Sequence, residues 1–228
     1  MKKRMTWVLA AAAVIAAGGI WAGCGGAKEE VLIVTPKSPT PLETLAAREV
    51  RRYLYLRTGA LSPVQAAPRV RPRRRPVVAV FGRGRLELPD WASPEVREKV
   101  AGLGAEDYLL KSLERGPSRA VLIAGGDGPG VLYGAYRFAE SLGVRFYLHG
   151  DVVPDRRLAG GLPSLDELGR PLFRLRGIHP FHDFPEGPDW WNREDYLAVI
   201  AQLPKLGMNF FGLHTYPDGR PNAEPTVR

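Results

Sequence analysis

Cysteine is almost absent: Cys24 is the only one in 228 residues. No intrachain disulfide can form, so the fold must rest on its core alone. Long apolar runs are missing too. The uncharged stretch from Trp7 to Ala22 is shorter than the ~20 apolar residues a membrane-spanning helix needs. No internal repeat is visible, and no Gly-x-Ser-x-Gly nucleophile elbow is present. The dinucleotide pattern G-x-G-x-x-G and the phosphate-loop ending G-K-[ST] are both lacking. A surplus of charge is largely lacking as well. The formal charge is +8, but Lys2, Lys3 and Arg4 with the run Arg69, Arg71, Arg73, Arg74 and Arg75 account for it, and the rest is close to neutral. The prolines at 68, 72 and 76 space that run as an extended, solvated loop. No nucleic-acid partner is expected from it.

What is present begins with a targeting signal. Lys2, Lys3 and Arg4 form a positive segment before the apolar run, as in a secretory leader. Trp21-Ala22-Gly23-Cys24 resembles a bacterial lipobox, with Trp21 where the pattern prefers Leu. Residues 1–24 are therefore expected to be a signal peptide of the lipoprotein type. Cys24 would be lipidated, anchoring an exported protein to a membrane of the cell envelope. A simple cleaved leader is the alternative.

The composition, 45% hydrophobic and 25% charged, is that of a globular chain. Its length suits one domain and a piece of a second. Val31–Val34 reads as a strand, followed by a helix opened by Thr40 and Pro41 and closed by Gly59. Pro63–Pro76 reads as a loop and Pro76–Phe81 as a second strand, with a short helix at Pro94–Val100. Tyr108–Leu113 and Ala120–Ala124 form a hairpin, then a helix runs from Pro129 to Leu142 and a strand from Val144 to Tyr147. The expected fold of residues 25–165 is α+β, a sheet with helices on one face. Residues 170–228 begin a new unit: strand Phe173–Ile178, amphipathic helix Arg193–Leu206, strand Met208–Leu213. That is one βαβ unit with parallel strands, too small to bury both sheet faces.

The Gly-rich loop Ala124-Gly125-Gly126-Asp127-Gly128-Pro129-Gly130 joins a strand to a helix, where phosphate could bind. With the spacing wrong and Pro129 lacking an N–H, it reads as a tight turn, and no cofactor is expected. The binding residues are sought after Arg174. His179, His182, Asp183, Trp190, Trp191 and Asn192 follow the first strand of the new unit; His214 and Tyr216 follow the second. Parallel strands put these ends on one side, where barrel enzymes build their sites. Rings stack on a sugar's C–H face while polar groups bond its hydroxyls, so a carbohydrate ligand is expected. His179, His182, Asp183 and His214 offer a weaker zinc pattern, interrupted by Pro180, and no metal is expected.

The strings Glu106-Asp107-Tyr108, Val121 through Tyr136 and Glu140-Ser141-Leu142-Gly143-Val144-Arg145 resemble the small non-catalytic domain that precedes the barrel in family 20 β-hexosaminidases and family 67 α-glucuronidases. The resemblance covers about Val31 to Pro154. It implies that residues 170–228 are the first βαβ unit of an incomplete (β/α)8 TIM barrel. Arg176-Gly177 matches the family 20 pair that carries a sugar-binding arginine, whereas Trp190-Trp191-Asn192 is nearer to α-glucuronidase-like proteins. In both families the catalytic carboxylates lie on later barrel strands. Asp183, Glu186, Asp189 and Glu194 match no catalytic motif. The parent protein is thus expected to be a secreted glycoside hydrolase, with this chain inactive alone. The alternative is a non-catalytic surface protein that binds carbohydrate.

Overall fold

The computed structural model describes residues 30–72, 74–158, 161–180 and 188–213. The expected signal peptide and Cys24 lie outside them. In chain order the first domain holds β1 (Leu32–Thr35), α1 (Pro41–Thr58), β2 (Val64–Ala66), β3 (Val77–Gly82), α2 (Pro94–Ala101), β4 (Tyr108–Arg115), β5 (Ser118–Gly125), α3 (Gly128–Ser141), β6 (Arg145–Tyr147), β7 (Gly150–Val152) and β8 (Asp166–Gly169). The second unit holds β9 (Gly177–Ile178), α4 (Arg193–Gln202) and β10 (Phe210–Phe211).

Six strands form one mixed sheet in the order β2-β1-β3-β5-β4-β8. Strands β2, β1, β3 and β5 run parallel, whereas β4 is antiparallel to both β5 and β8. Side chains alternate between the two faces, as a pleated strand requires. Ile33, Val78, Val80, Leu110, Val121 and Ile123 join the core under α1 and α3. Val34, Val77, Ala79, Phe81, Leu109, Leu122 and Ala124 join a second core under α2 and Leu86, Leu88 and Ala92. Helices therefore cover both faces, not one as expected. Val77–Phe81 is apolar at every position, and a strand of that kind is stable only when both sides are shielded from water.

Local chemistry fixes the helices. Thr40 caps α1, accepting from the Glu43 amide at 3.2 Å, while the Glu43 carboxylate accepts from the Thr40 amide at 2.7 Å. This reciprocal box satisfies two orphan donors of the first turn. Gly59 ends the helix at φ 74°, a conformation that suits glycine. Arg57, 4% exposed, stretches from α1 to three backbone carbonyls far along the chain: Leu142 at 2.7 Å, Pro154 at 2.6 Å and Arg156 at 2.7 Å.

Three segments depart from the expectations. Part of the Pro63–Pro76 loop forms β2, pairing in parallel with β1. Residues 166–169 form β8 beside β4. The strand after Gly143 does form, as β6, but it pairs with β7 in a separate two-stranded ribbon. In the arginine run, Arg69 and Arg75 form ion pairs with Glu87 at 2.8 Å and Glu30 at 2.7 Å.

In the second unit β9 and β10 are parallel, Gly177 facing Phe210 and Ile178 facing Phe211. The strands are shorter than the expected 173–178 and 208–213. The expected helix to Leu206 stops at Gln202 and continues as a 3-10 turn over Leu203–Leu206. Pro204 lacks an N–H and its ring clashes with the preceding turn, so the chain tightens there and ends at Gly207. No residue of α4 is buried, and Leu197 and Ile200 stand about half exposed. Of the apolar rhythm that suggested an amphipathic helix, Tyr196 packs on Phe211 of β10, whereas Leu197 and Ile200 stay half open.

Candidate functional site

The glycine-rich turn between β5 and α3 is packed closely against other backbone. A Cβ at Gly126 would overlap the Gly104 carbonyl oxygen, and one at Gly130 would overlap that of Asp107. The 104–107 loop therefore lies directly on this turn. Asp127 caps α3, its Oδ1 accepting from the Gly130 amide at 2.9 Å and from the Glu106 amide at 3.0 Å. Glu106 sits at φ 61°, the one described non-glycine residue with positive φ. Such a residue pays a strain of ~1–2 kcal/mol and persists only where its surroundings hold it.

That posture aims the Glu106 carboxylate at the second unit. Its Oε2 accepts from Arg176 Nη2 at 2.9 Å, and its Oε1 from Asn209 Nδ2 at 3.0 Å. Partial burial pushes the Glu106 pKa up, but the hydrogen bonds from Asn209 and Arg176 and the Arg176 charge outweigh it, and the carboxyl lies below its ordinary value. Arg176 is used three further times. Nε donates to the Gly207 carbonyl at 2.7 Å, Nη1 donates to the Phe173 carbonyl at 2.6 Å, and the guanidinium lies 5.6 Å from the Tyr133 ring centre. Arg176, expected to touch a sugar at the C-terminal end of its strand, instead precedes β9 and reaches back to the first domain.

The other expected residues divide into four groups. His179 leaves β9 at its C-terminal end, and a Cβ at Gly212, just beyond β10, would come within 3.0 Å of its ring. The ends of the parallel strands thus meet, as the βαβ reading requires. Trp191 and Asn192 serve the local structure. Trp191 packs on Tyr196 at 5.3 Å and Phe211 at 6.4 Å between ring centres. The Asn192 Oδ1 caps α4, accepting from the amides of Glu194 and Asp195 at 2.8 and 3.0 Å. Trp190 is 67% exposed, its indole open to solvent. His182, Asp183, His214 and Tyr216 lie outside the described residues.

Sequence reading missed the residues that join the two units. Glu106 and Asn209 are one pair. Asp151 and Lys205 are the other, at 2.8 Å with side chains 11% and 8% exposed. Asp151 also accepts from the Tyr53 hydroxyl at 2.7 Å. Burial pushes the Asp151 carboxyl up, and the bonds from Lys205 and Tyr53 with the charges of Lys205 and Arg52 bring it below its ordinary value. Two open clefts flank this joint. One of about 460 Å³ is lined by Tyr108, Tyr133, Arg137, Glu140, Glu167 and Lys205. The other, about 540 Å³, is lined by Glu106, Asp107, Asp127, Phe173, Arg174 and Asn209. With its carboxyl held below its ordinary value by Asn209 and Arg176, Glu106 is poorly placed to donate a proton. No metal-ligating group of three or more His, Cys, Asp or Glu occurs among the described residues.

No protein-family model matches the chain, and no curated protein matches it. Among solved structures it is similar to a family GH115 4-O-methyl-α-glucuronidase with specificity for decorated arabinogalactans, at TM-score 0.56 and 16% identity. That likeness covers 80% of this chain and 25% of the enzyme. A GH138 enzyme targeting pectin rhamnogalacturonan II gives TM-score 0.49 and 14% identity, over 82% of this chain and 19% of that one. The chain thus spans about a quarter of the length of the first enzyme, and the likeness is one of fold. Its neighbours are glycoside hydrolases, and its mixed α+β fold is similar to part of such an enzyme.

Proposed function

We propose that the chain is the N-terminal portion of a secreted glycoside hydrolase acting on a polysaccharide or oligosaccharide. One observation carries this reading: the fold likeness to the GH115 enzyme covers 80% of the chain. Residues 1–169 hold less than that share, so the likeness must run past the first domain into the βαβ unit. A domain of this type followed at once by parallel β and α elements is the order expected for a barrel enzyme with a leading non-catalytic domain. The α-glucuronidase-like reading is preferred to the hexosaminidase-like one, since the GH115 neighbour is a glucuronidase and Trp190-Trp191-Asn192 points the same way. On this reading residues 170–228 open the barrel, and the binding face lies beyond β9 and β10, around His179, His182, Asp183, Trp190, His214 and Tyr216. The catalytic carboxylates lie on further strands. The leader exports the protein, and Cys24 anchors it in the cell envelope.

A second reading, a non-catalytic carbohydrate-binding protein, is favoured by the open Trp190 indole. The two separate in one experiment. The native protein is captured from its source cells with an antibody against residues 31–154, sized, and incubated with glucuronate-decorated polysaccharides. A product several times heavier than this chain that releases uronic acid bears out the hydrolase. A product that is retained on the polysaccharide without cleaving it bears out the binding reading. Neither cleavage nor retention overturns both.

A further inference from the structure

We propose that the first domain is the folding platform of the second unit, gripping it through a clamp of two carboxylates, Glu106 and Asp151. Among its described residues the second unit is held together by a small aromatic cluster of Trp191, Tyr196 and Phe211. Among the described residues its sheet is two strands of two residues each, and α4 buries none of its residues. A lone two-stranded pair is marginal in water, and parallel strands ordinarily need cover on both faces. Its most buried described side chain, Leu203, and the turn that follows lie by the first domain. The 3-10 turn Leu203–Leu206 touches α3, and Leu206 packs on the core under α1 and α3. Leu203 is 5% exposed.

The two carboxylates bracket that turn. Asp151 holds Lys205, whose ammonium also lies 5.7 Å from the Phe146 ring centre. Tyr53 fixes Asp151 from α1, with Arg52 at 3.8 Å. Glu106 holds Asn209 and Arg176, one residue from each end of the βαβ crossover. Each carboxylate is itself immobilised within the first domain, Glu106 by its left-handed backbone and the Asp127 bond. The Arg176 carbonyl then accepts from the Asn209 and Phe210 amides at 2.8 and 3.0 Å. Register between β9 and β10 is therefore set at the residues the clamp grips.

The test is hydrogen exchange in the full chain carrying Glu106→Gly. Glycine keeps the positive φ at lower strain and retains the amide that bonds Asp127, so the carboxylate is the interaction removed. Amides of Asn209, Phe210 and Gly212 are expected to exchange at least tenfold faster, with those of β3 and β5 unchanged. Unchanged exchange at Asn209, Phe210 and Gly212, or acceleration of β3 and β5 in step with them, would overturn the proposal. Should Glu106→Gly fail to fold, Asp151→Asn decides by the same criterion, read at the Met208 amide that bonds the Leu203 carbonyl at 2.9 Å.

Discussion

Replacing Glu43 by alanine tests whether a buried carboxylate binds α1 to the sheet. The side chain is 1% exposed. Its oxygens accept from the Thr40 amide at 2.7 Å, the Gly82 amide at 2.8 Å and Arg85 Nε at 3.0 and 3.1 Å. These bonds do not simply add. Arg85 is 41% exposed and returns to water, so its pair contributes under about 1 kcal/mol. The partly buried Thr40 amide loses a capping bond, worth about 1 kcal/mol. The Gly82 amide is stranded in the interior, at about 2 kcal/mol for an unsatisfied donor. Removing the charge recovers some desolvation, leaving a net loss of roughly 3 kcal/mol. Against a total of about 5–15 kcal/mol this is severe, and it lowers the melting temperature by roughly 6–12 °C. Urea titration followed by far-ultraviolet circular dichroism reads it as a fall in midpoint of about 1–2 M. Thr40→Ala and Arg85→Ala serve as controls, each expected to lose about 1 kcal/mol or less. A Glu43→Ala loss no larger than that of Arg85→Ala would refute the reasoning.

Other outcomes follow from the same structure. Gly126→Ala forces its Cβ into the Gly104 carbonyl; displaced backbone should cost more than about 3 kcal/mol, read from the urea midpoint. Arg57→Met keeps the volume but strands the Leu142, Pro154 and Arg156 carbonyls, and thermal melting should show a loss of about 3 kcal/mol or more. The Glu106 and Asp151 carboxyls both lie below their ordinary values in the folded chain. Their contribution is complete above the ordinary carboxylate range near ~4 and is lost as pH falls through the lower folded values. Melting temperature should therefore drop on acidification below about pH 4, and the Glu106→Gln variant should show a shallower drop.

Where a segment's own pattern decides its structure, the sequence was readable. The apolar runs at 77–81 and 120–124 became β3 and β5, and Thr40, Pro41 and Gly59 bounded α1 as their chemistry dictates. β2 and β8 were missed because their order comes from hydrogen bonds to neighbours, not from their own residues. The second covered face was implicit in the unbroken apolar character of β3. At the candidate site, Asn192 stands before Arg193, Glu194 and Asp195, a capping pattern legible from local rules, and it does cap α4. Arg176 was singled out as a sugar contact, whereas its carboxylate partner in the fold, Glu106, is 70 residues away and Asn209 and Glu106 are 103 apart. Contacts of that separation leave no periodic trace in a single chain.

The ends of the main sheet carry a last consequence. β2 is three exposed residues between Pro63 and Pro68, and β8 is four residues bearing Asp166 and Glu167. Both are too short, and one is too acidic, to template a strand from another molecule. Assembly by strand addition is therefore disfavoured at either margin of the six-stranded sheet. The edges of this sheet are thus guarded against pairing with a second copy of the same domain.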